Sequence, residues 1–199
     1  TLAEHVRLGF HEPFRVGELD LYSSVSIGLA HVGGEHGGED AEAVMQNADT
    51  AMYQVKVAGG DGVALFDVPM RDQLRDRMEL ENELRHALER GELEVYYQPI
   101  VSLASATVDG FEALLRWKHH ARGLVPPTVF IPIAESSGLI VVIGRWVVAE
   151  AARQLAGWLD TGRLAPGTYV AVNLSARQLR DPTLLEHVAD VLHHTGLAP

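Results

Sequence analysis

Two charged side chains interrupt an otherwise apolar stretch, and their spacing limits the chemistry that they can do. Residues 109–117 read DGFEALLRW. In a β-strand successive side chains point to opposite faces, so Glu112 and Arg116 share the face opposite Trp117. Along a strand these two residues would be about 13 Å apart, which is too far for a direct ion pair. In a helix the same spacing would give an ordinary ion pair. The proline pair at 126–127 prevents a long helix through this region, so we favour the strand.

Two further polar residues interrupt segments that the sequence predicts to be apolar strands. Gln98 lies in EVYYQPIV, and Asn173 lies in YVAVNLS. If the bulky side chains of these strands face surrounding helices, the polar residues face a barrel interior near the C-terminal strand ends. Carboxylate and amide oxygens are hard ligands that suit Mg²⁺ or Mn²⁺, and an arginine nearby can contact a phosphate. The combination points to metal-assisted phosphoester chemistry. Any one of these residues alone is better explained by a structural hydrogen bond, and spacing does not identify the reaction.

The order of predicted elements divides the chain into two units joined by a helix. We predict a first unit at residues 1–68, a connecting helix at 69–91 and a second unit at 92–199. The first unit is predicted to contain, in order, a helix at 2–10, a strand at 19–30, a glycine-rich connection at 31–38, a helix at 39–57 and a strand at 63–66. The connecting helix is expected to be mostly solvated, and a linker that transmits a signal or dimerises is the alternative.

The second unit alternates between strands and helices. We predict strands at 94–103, 107–117 and 169–174, and helices at 128–137, 140–160 and from 182 to about 194. This alternation predicts an α/β fold with parallel strands. A closed (β/α)₈ barrel needs about 250 residues, so a barrel in this chain would stop near its midpoint. We therefore expect the chain to be truncated at both ends.

Composition and charge exclude several classes of protein. The 199 residues carry a net charge of −11 and no cysteine, so disulfide frameworks and thiolate metal sites are excluded. The acidic charge disfavours polymeric nucleic acid as a partner, but a small anionic ligand is compatible with converging arginines. The sequence has no signal peptide and no run of about 18 apolar residues, so we expect a cytoplasmic location, with a membrane anchor outside this chain left open. The pairs His119-His120 and His193-His194 are expected at the surface.

Four motifs occur in order in the second unit. They are YYQPIV at 96–101, GFEALLRW at 110–117, FIPIAESSGLI at 130–140 and VNLSARQL at 172–179. With these motifs, residues 93–199 resemble the N-terminal half of an EAL domain, the cyclic di-GMP phosphodiesterase module. The resemblance implies a TIM-type barrel that hydrolyses cyclic di-GMP to linear pGpG with two Mg²⁺ or Mn²⁺ ions. It implies that Glu112 and Asn173 are metal ligands and that Gln98 and Arg116 contact cyclic di-GMP. The family's paired aspartates and catalytic lysine lie downstream of Pro199, so this chain alone is expected to be inactive.

The first unit carries two motifs of a second family. They are SVSIGLA at 24–30 and NADTAMYQVKVAGGDG at 47–62, which resemble the C-terminal part of a GGDEF domain, the diguanylate cyclase module. In that family the helix often ends K-x-x-G-R-N, and the lysine and arginine hold triphosphate. Lys56 is kept here, but Gly60 and Asp61 stand in place of Arg-Asn. The resemblance therefore implies weak contacts to GTP and a degenerate, regulatory half.

The two motif sets together resemble tandem GGDEF–EAL signalling proteins of the cyclic di-GMP system. The main hypothesis is a phosphodiesterase whose first unit is regulatory. Two alternatives stay open, a non-catalytic receptor for cyclic di-GMP and a bifunctional cyclase–phosphodiesterase. The expected partners are cyclic di-GMP and, at the first unit, GTP, and a homodimer is a further expectation.

Overall fold

The chain forms two compact units, and one helix contributes residues to both. The computed structural model describes residues 1–32 and 40–198. The units are Thr1–Met78 and Glu79–Pro199, and the division falls inside the helix Val68–Ala87. The predicted boundaries 1–68, 69–91 and 92–199 stay a prediction. Most of the glycine-rich connection predicted at 31–38, and the predicted helix start at Glu39, lie outside the described residues.

The first unit contains two small pairs of strands. Its described elements are, in order, α1 (Leu2–Gly9), β1 (Phe14–Val16), β2 (Leu19–Leu21), β3 (Ser26–Leu29), α2 (Ala41–Val57), β4 (Gly62–Leu65) and α3 (Val68–Ala87). Strands β1 and β2 pair antiparallel, and β3 and β4 pair parallel. The single strand predicted at 19–30 is therefore wrong. The start of this segment forms β2 and its end forms β3, and these two strands pair in different sheets. Residues 22–25 between them belong to neither strand.

Helix α2 lies directly on β3 because the strand carries a glycine where the helix crosses it. The side chain of Asp40 caps the helix by accepting a hydrogen bond of 2.8 Å from the backbone N–H of Ala43. A Cβ atom added to Gly28 would lie only 1.9 Å from the carbonyl oxygen of Ala48. On α2, Ala51 and Val55 are buried. The strand glycine thus sets the distance between helix and sheet in this unit.

The second half of α3 is part of the core of the second unit. Leu80, Leu84 and Ala87 are 6%, 1% and 0% exposed. Spacings of four and three residues place these side chains on one face of the helix. The expectation of a mostly solvated helix is therefore wrong for this half, because its apolar side chains form a face that packs into the core. Met78, just before it, is 61% exposed.

The sheet of the second unit is mixed, with a hairpin at its start. Its strands are β5 (Leu93–Val101), β6 (Val108–His119), β7 (Gly123–Val125) and β8 (Tyr169–Val172). Strand β6 pairs antiparallel with β5 and with β7, and parallel with β8. The α/β class is confirmed, but the expectation of parallel strands is wrong for the first two. Only residues 102–107 join β5 to β6, which is too short for the crossover of about a dozen residues that a parallel pair needs.

Helices supply the crossover between β6 and β8. They are α4 (Pro127–Ser137) and α5 (Leu139–Asp160), and they match the predictions at 128–137 and 140–160 closely. Gly138, with φ +86°, turns the chain between the two helices. After β8 come a 3₁₀ turn, Gln178–Arg180, and α6 (Leu184–Thr195). No single helix among residues 1–32 and 40–198 has the length and hydropathy to cross a membrane; α4 and α5 meet those criteria only as a pair bent by 118°.

The core of the second unit lies between the sheet and the helices. Trp117 and Phe130 are completely buried and meet edge to face, with ring centroids 5.7 Å apart. Leu84, Ile133 and Ile143 are 1–2% exposed in the same cluster. The buried Trp117 confirms that the apolar face of residues 109–117 points to the helices. The opposite face, which carries Glu112 and Arg116, is therefore free to form a site.

Candidate metal and ligand site

Strand pairing brings the predicted site residues of β5 and β6 onto one face. Gln98 lies opposite Glu112 in the antiparallel register, and Glu94 lies opposite Arg116. Residues that oppose each other across two strands point to the same face of a sheet. Gln98 is exposed, whereas Glu112 and Arg116 are half-buried. The structure therefore places Gln98, Glu112 and Arg116 on one surface, opposite the core.

Asn173 reaches the same surface from β8. Strand β8 runs parallel beside β6 with Ala171 next to Glu112, and Asn173 is the first residue after the strand. The Asn173 side-chain amide nitrogen donates a hydrogen bond of 2.7 Å to Oε1 of Glu112. These residues are 61 positions apart in the chain, so the parallel pairing of β6 with β8 creates the contact. Two of the residues predicted from the strand pattern thus meet directly.

The Glu112–Asn173 pair has the donor chemistry of a partial site for a hard divalent cation. A carboxylate only accepts hydrogen bonds, so the Asn173 nitrogen must face Glu112 and the amide oxygen is turned away from it. That amide oxygen and the second Glu112 oxygen make no hydrogen bond within the described part of the chain. Such oxygens are the ligands that Mg²⁺ and Mn²⁺ prefer. Within residues 1–32 and 40–198, no group of three or more His, Cys, Asp or Glu residues is placed to hold a metal, so the pair is a partial ligand set.

The guanidinium of Arg116 lies over an exposed aromatic ring. Its guanidinium carbon lies 5.6 Å from the centre of the Tyr96 ring, and Nη1 donates a hydrogen bond of 2.9 Å to the carbonyl of Leu115. Lys118 also lies over the Tyr96 ring at 5.8 Å and forms an ion pair of 2.7 Å with Glu94. The remaining guanidinium N–H groups can donate to a phosphate. Arg116 thus offers a cation on the same face as Glu112, and no ion pair joins these two residues in the structure.

A cavity of about 320 Å³ adjoins the site. It lies beyond the end of β8, and its walls come from β6, α4, α5 and the residues after β8. Most of the lining is apolar, including Leu115, Ile131 and Ile143, whereas Arg116 and Asn173 contribute polar groups. An apolar pocket with a few polar groups is the usual form of a small-molecule site.

The structure also shows a buried polar cluster that the sequence did not reveal. His119 is 3% exposed and Glu92 is 8% exposed, so the expectation that His119 lies at the surface is wrong. Two backbone N–H groups, of Ala121 and Arg122, donate to Nδ1 of His119, each over 3.1 Å. The Nε2 atom therefore carries the proton that is donated to Glu83 over 2.6 Å. His119 continues the alternation of the apolar face in β6, which is the signal that could have predicted its burial.

Glu92 completes this cluster from the start of β5. Its carboxylate accepts a hydrogen bond of 3.1 Å from the indole of Trp117 and one of 2.9 Å from His120. Burial raises the pKa of the Glu92 carboxyl, but these two hydrogen bonds, together with electrostatic attraction to the neighbouring histidines, outweigh burial, and the pKa lies below its ordinary value. The cluster ties the end of β6 to the start of β5 and therefore supports the sheet that carries the site.

The residues predicted to contact GTP lie in the first unit. Lys56 is exposed in the last turn of α2 and makes no ion pair among the residues that the structure describes. Gly60 has φ +80°, and Asp61 has φ +50°. The Asp61 carboxylate meets Arg7 at 3.3 Å and His11 at 3.1 Å. Asp61, which stands where the GGDEF pattern has asparagine, thus lies in a cluster of charged side chains with Arg7 and His11.

Comparison with known proteins identifies both units. The family model for the EAL domain matches residues 81–199, and the model for the diguanylate cyclase GGDEF domain matches residues 2–62. The bifunctional diguanylate cyclase/cyclic di-GMP phosphodiesterase MucR of Pseudomonas aeruginosa is 40% identical over all 199 residues. The cyclic di-GMP phosphodiesterase PdeR of Escherichia coli is 41% identical over 192 residues, or 96% of this chain. The chain spans 28% of the length of each of these relatives.

Solved structures agree with this assignment. A MucR phosphodiesterase in complex with c-di-GMP is 45% identical and has a TM-score of 0.58; the match covers 61% of this chain and 48% of that one. The EAL domain of Pseudomonas aeruginosa FimX bound to c-di-GMP is 31% identical, with a TM-score of 0.52, over 62% of this chain and 47% of that one. These matches confirm that the second unit is part of an EAL-type, TIM-like barrel. The chain therefore belongs to the EAL domain family, and a segment of the GGDEF family precedes the EAL domain in the same chain.

Proposed function

We propose that the complete protein hydrolyses cyclic di-GMP to linear pGpG with the help of Mg²⁺ or Mn²⁺. The observation that carries the proposal is the 2.7 Å hydrogen bond from Asn173 to Glu112, which aligns two hard oxygen donors on one face. The names of MucR and PdeR, both of which include a cyclic di-GMP phosphodiesterase, support it. The chain spans only part of its relatives, so the activity is proposed for the protein as a whole.

Glu112 and Asn173 would hold one part of a two-metal site. The remaining ligands would come from the part of an EAL domain that this chain does not span, since the match covers 48% of the MucR phosphodiesterase structure. When bound, the metal ions supply an activated water and neutralise charge at the phosphate. The task of Glu112 is to provide negative charge, and Asn173 orients that carboxylate through its amide nitrogen.

Gln98 and Arg116 would bind the cyclic dinucleotide itself. Gln98 is exposed next to Glu112, and its amide can both donate to and accept from a base or a sugar. Arg116 can form charge-assisted hydrogen bonds to a phosphate oxygen. Their position on the same face as Glu112 supports a substrate that lies across β5 and β6.

The first unit would regulate the second rather than synthesise cyclic di-GMP. Gly60 removes one of the two cations in the GGDEF pattern, and Asp61, which stands in place of the asparagine, is paired with Arg7 and His11. Lys56 would remain as a single contact to GTP phosphate. The bifunctional alternative is favoured by one observation, the description of MucR as bifunctional at 40% identity. The predicted homodimer and cytoplasmic location stay predictions.

An assay of the full-length protein tests the proposal. Cyclic di-GMP is incubated with the protein and Mn²⁺, and pGpG is measured by chromatography, with a parallel reaction in excess chelator. Binding of cyclic di-GMP in the chelated sample is measured by calorimetry. We expect pGpG to form only with metal, and binding to persist without it. Binding without any metal-dependent hydrolysis would contradict the enzyme and support the receptor.

A further inference from the structure

The position of Asn173 depends on the short loop that follows β8. Strand β8 ends at Val172, so no strand pairing restrains Asn173 itself. Asn173 is exposed, and its side-chain amide donates a hydrogen bond to Glu112. A side chain at the end of a strand needs support from its loop if it is to hold one orientation. We call residues 173–178 the Asn173 loop, and hydrogen bonds between residues of this loop provide that support.

The buried side chain of Gln178 holds the Asn173 loop together through hydrogen bonds to Ser175. Its side chain is 3% exposed, although glutamine is normally a surface residue. The side-chain oxygen Oε1 accepts a hydrogen bond of 3.1 Å from the backbone N–H of Ser175. In return, the Ser175 hydroxyl accepts one of 3.3 Å from the backbone N–H of Gln178. These reciprocal bonds fix the shape of the loop two residues after Asn173.

A glycine in α5 makes room for this buried side chain. A Cβ atom added to Gly144 would lie 1.9 Å from Nε2 of Gln178 and 2.7 Å from its side-chain carbonyl carbon. Any larger residue at position 144 must therefore displace the Gln178 side chain. Displacement breaks the hydrogen bond to Ser175, because Oε1 belongs to the same amide group. Gly144 thus determines whether the loop can close.

The neighbouring residue attaches the Asn173 loop to a second helix. Nη1 of Arg177 donates hydrogen bonds of 2.7 Å to the carbonyl of Glu135 and 3.3 Å to that of Ser136, in the last turn of α4. Carbonyl groups at a helix C-terminus lack partners within the helix, so a cation there is favourable. The loop is therefore connected to α4 through Arg177 and to α5 through Gln178.

We propose that Gln178, seated against Gly144, is a positioning residue that holds the Asn173 amide against Glu112 and so prepares the metal site. This inference rests on the proposed function, because it takes Asn173 and Glu112 as metal ligands. Gln178 bonds to the backbone N–H of Ser175, so in this proposal it acts on Asn173 through the loop and is not itself a ligand. Groups that orient metal ligands typically contribute a factor of about 10 to 100 in metal affinity. Loss of the Gln178 side chain should therefore weaken metal binding more than it weakens the metal-free binding of cyclic di-GMP.

The test uses the full-length protein and three variants, Gln178→Ala, Gly144→Ala and Gly157→Ala. Gly157 is the matched control, since it lies in the same helix and an added Cβ there meets nothing within 4 Å. Mn²⁺ affinity is measured by calorimetry without substrate, and cyclic di-GMP affinity is measured in chelator. We expect Gln178→Ala and Gly144→Ala to weaken Mn²⁺ binding by about 10- to 100-fold. Metal-free cyclic di-GMP affinity should stay within about twofold of wild type, and Gly157→Ala should match wild type in both measurements.

The double variant Gly144→Ala/Gln178→Ala separates positioning from general damage to α5. Once the glutamine side chain is removed, the alanine at position 144 has nothing to displace, so the double variant should be no worse than Gln178→Ala. Additive losses would show that Gly144 acts independently of Gln178 and would overturn the proposal. Unchanged Mn²⁺ affinity in Gln178→Ala would overturn it as well, even if Gly144→Ala does not fold.

Asn173→Ala distinguishes this inference from the proposed function. If Asn173→Ala weakens Mn²⁺ binding while Gln178→Ala does not, the metal role of Asn173 stands and only the positioning role is wrong. If Asn173→Ala leaves Mn²⁺ affinity unchanged, Asn173 is not a ligand, and both the metal assignment and the inference built on it are wrong.

Discussion

The GGDEF-type unit and the EAL-type unit both contain a carboxylate beside a parallel strand pair, but the partners of these carboxylates differ. In the first unit Asp61 follows α2 and meets two basic side chains, Arg7 and His11, at 3.3 and 3.1 Å. In the second unit Glu112 meets the uncharged amide of Asn173 at 2.7 Å. The Arg7 guanidinium partly compensates the charge of Asp61, whereas a carboxylate that accepts from an amide keeps its charge. Of these two carboxylates, Glu112 is therefore the better prepared to bind a cation.

The two units also use glycine for different kinds of close contact. Gly28 in β3 lies under the backbone of α2, and an added Cβ would be 1.9 Å from the Ala48 carbonyl oxygen. Gly110 in β6 lies beside β8, and an added Cβ would be 2.7 Å from the carbonyl oxygen of Tyr169. The first glycine brings a helix onto a strand, and the second keeps space beside the strand that delivers Asn173. Gly110 thus lies in the strand pair that carries the proposed metal ligands, whereas Gly28 does not.

The largest expected effect comes from removing the uncompensated charge of Glu112. Glu112→Gln keeps the shape of the side chain but removes the negative charge from the proposed metal site. In the full-length protein, hydrolysis of cyclic di-GMP should fall by orders of magnitude, while metal-free binding of the dinucleotide changes little. Asp109→Asn is the control, because Asp109 lies exposed in the same strand. Turnover at the wild-type rate in Glu112→Gln would remove Glu112 from the metal site.

A smaller effect is expected at the cation on the same face. Arg116→Ala removes a charge-assisted contact to phosphate, which is worth about 1.5–3 kcal/mol of binding free energy. This loss corresponds to an increase of about tenfold to hundredfold in the dissociation constant for cyclic di-GMP. Calorimetry on the full-length protein measures it, with the exposed Arg163→Ala as a control for net charge. Unchanged affinity in Arg116→Ala would show that its guanidinium does not contact the ligand.

Gly28→Ala tests whether the first unit depends on its close helix–strand contact. Overpacking of this kind costs about 1–3 kcal/mol of unfolding free energy. Hydrogen exchange should become faster in α2, β3 and β4, and it should stay unchanged in the β5–β6 hairpin. Gly9→Ala is the control, since an added Cβ at Gly9 meets nothing within 4 Å. Faster exchange in β5–β6 as well would show that the contact between α2 and β3 also affects the stability of the second unit, which would contradict this prediction.

The smallest expected effect concerns GTP at the first unit. We predict little or no synthesis of cyclic di-GMP from GTP by the full-length protein, since Lys56 is the one cation left from the K-x-x-G-R-N pattern. Gly60→Arg should strengthen GTP binding by restoring the second cation. The gain will be modest, because position 60 has φ +80° and a side chain there costs about 1–2 kcal/mol of conformational strain.

Gly60→Ala is the matched control for this last prediction, because it carries the same backbone strain without the charge. GTP affinity should rank Gly60→Arg above wild type and wild type at or above Gly60→Ala. Robust cyclase activity in the unmodified protein would show that the first unit is not degenerate. The bifunctional hypothesis would then replace the regulatory one.

Local sequence patterns determined the elements and their faces. Alternation in residues 109–117 placed Trp117 towards the core and Glu112 on the opposite face, because side chains in a strand have a period of two. The prolines at 126–127 and Gly138 determined where α4 begins and ends, because proline favours a first helical turn and glycine adopts the left-handed conformation that ends one. These features depend on neighbours in the chain, so the sequence carries them directly.

Tertiary structure decided which elements meet. A strand pattern shows which face is apolar but does not name the pairing partner, so the antiparallel β5–β6 pair and the break between β2 and β3 differed from expectation. The burial of His119 against Glu83, the bond from Asn173 to Glu112 and the seat of Gln178 on Gly144 join residues 34 to 61 positions apart. Contacts over such separations depend on how strands pair and how helices pack, and no local periodicity encodes them.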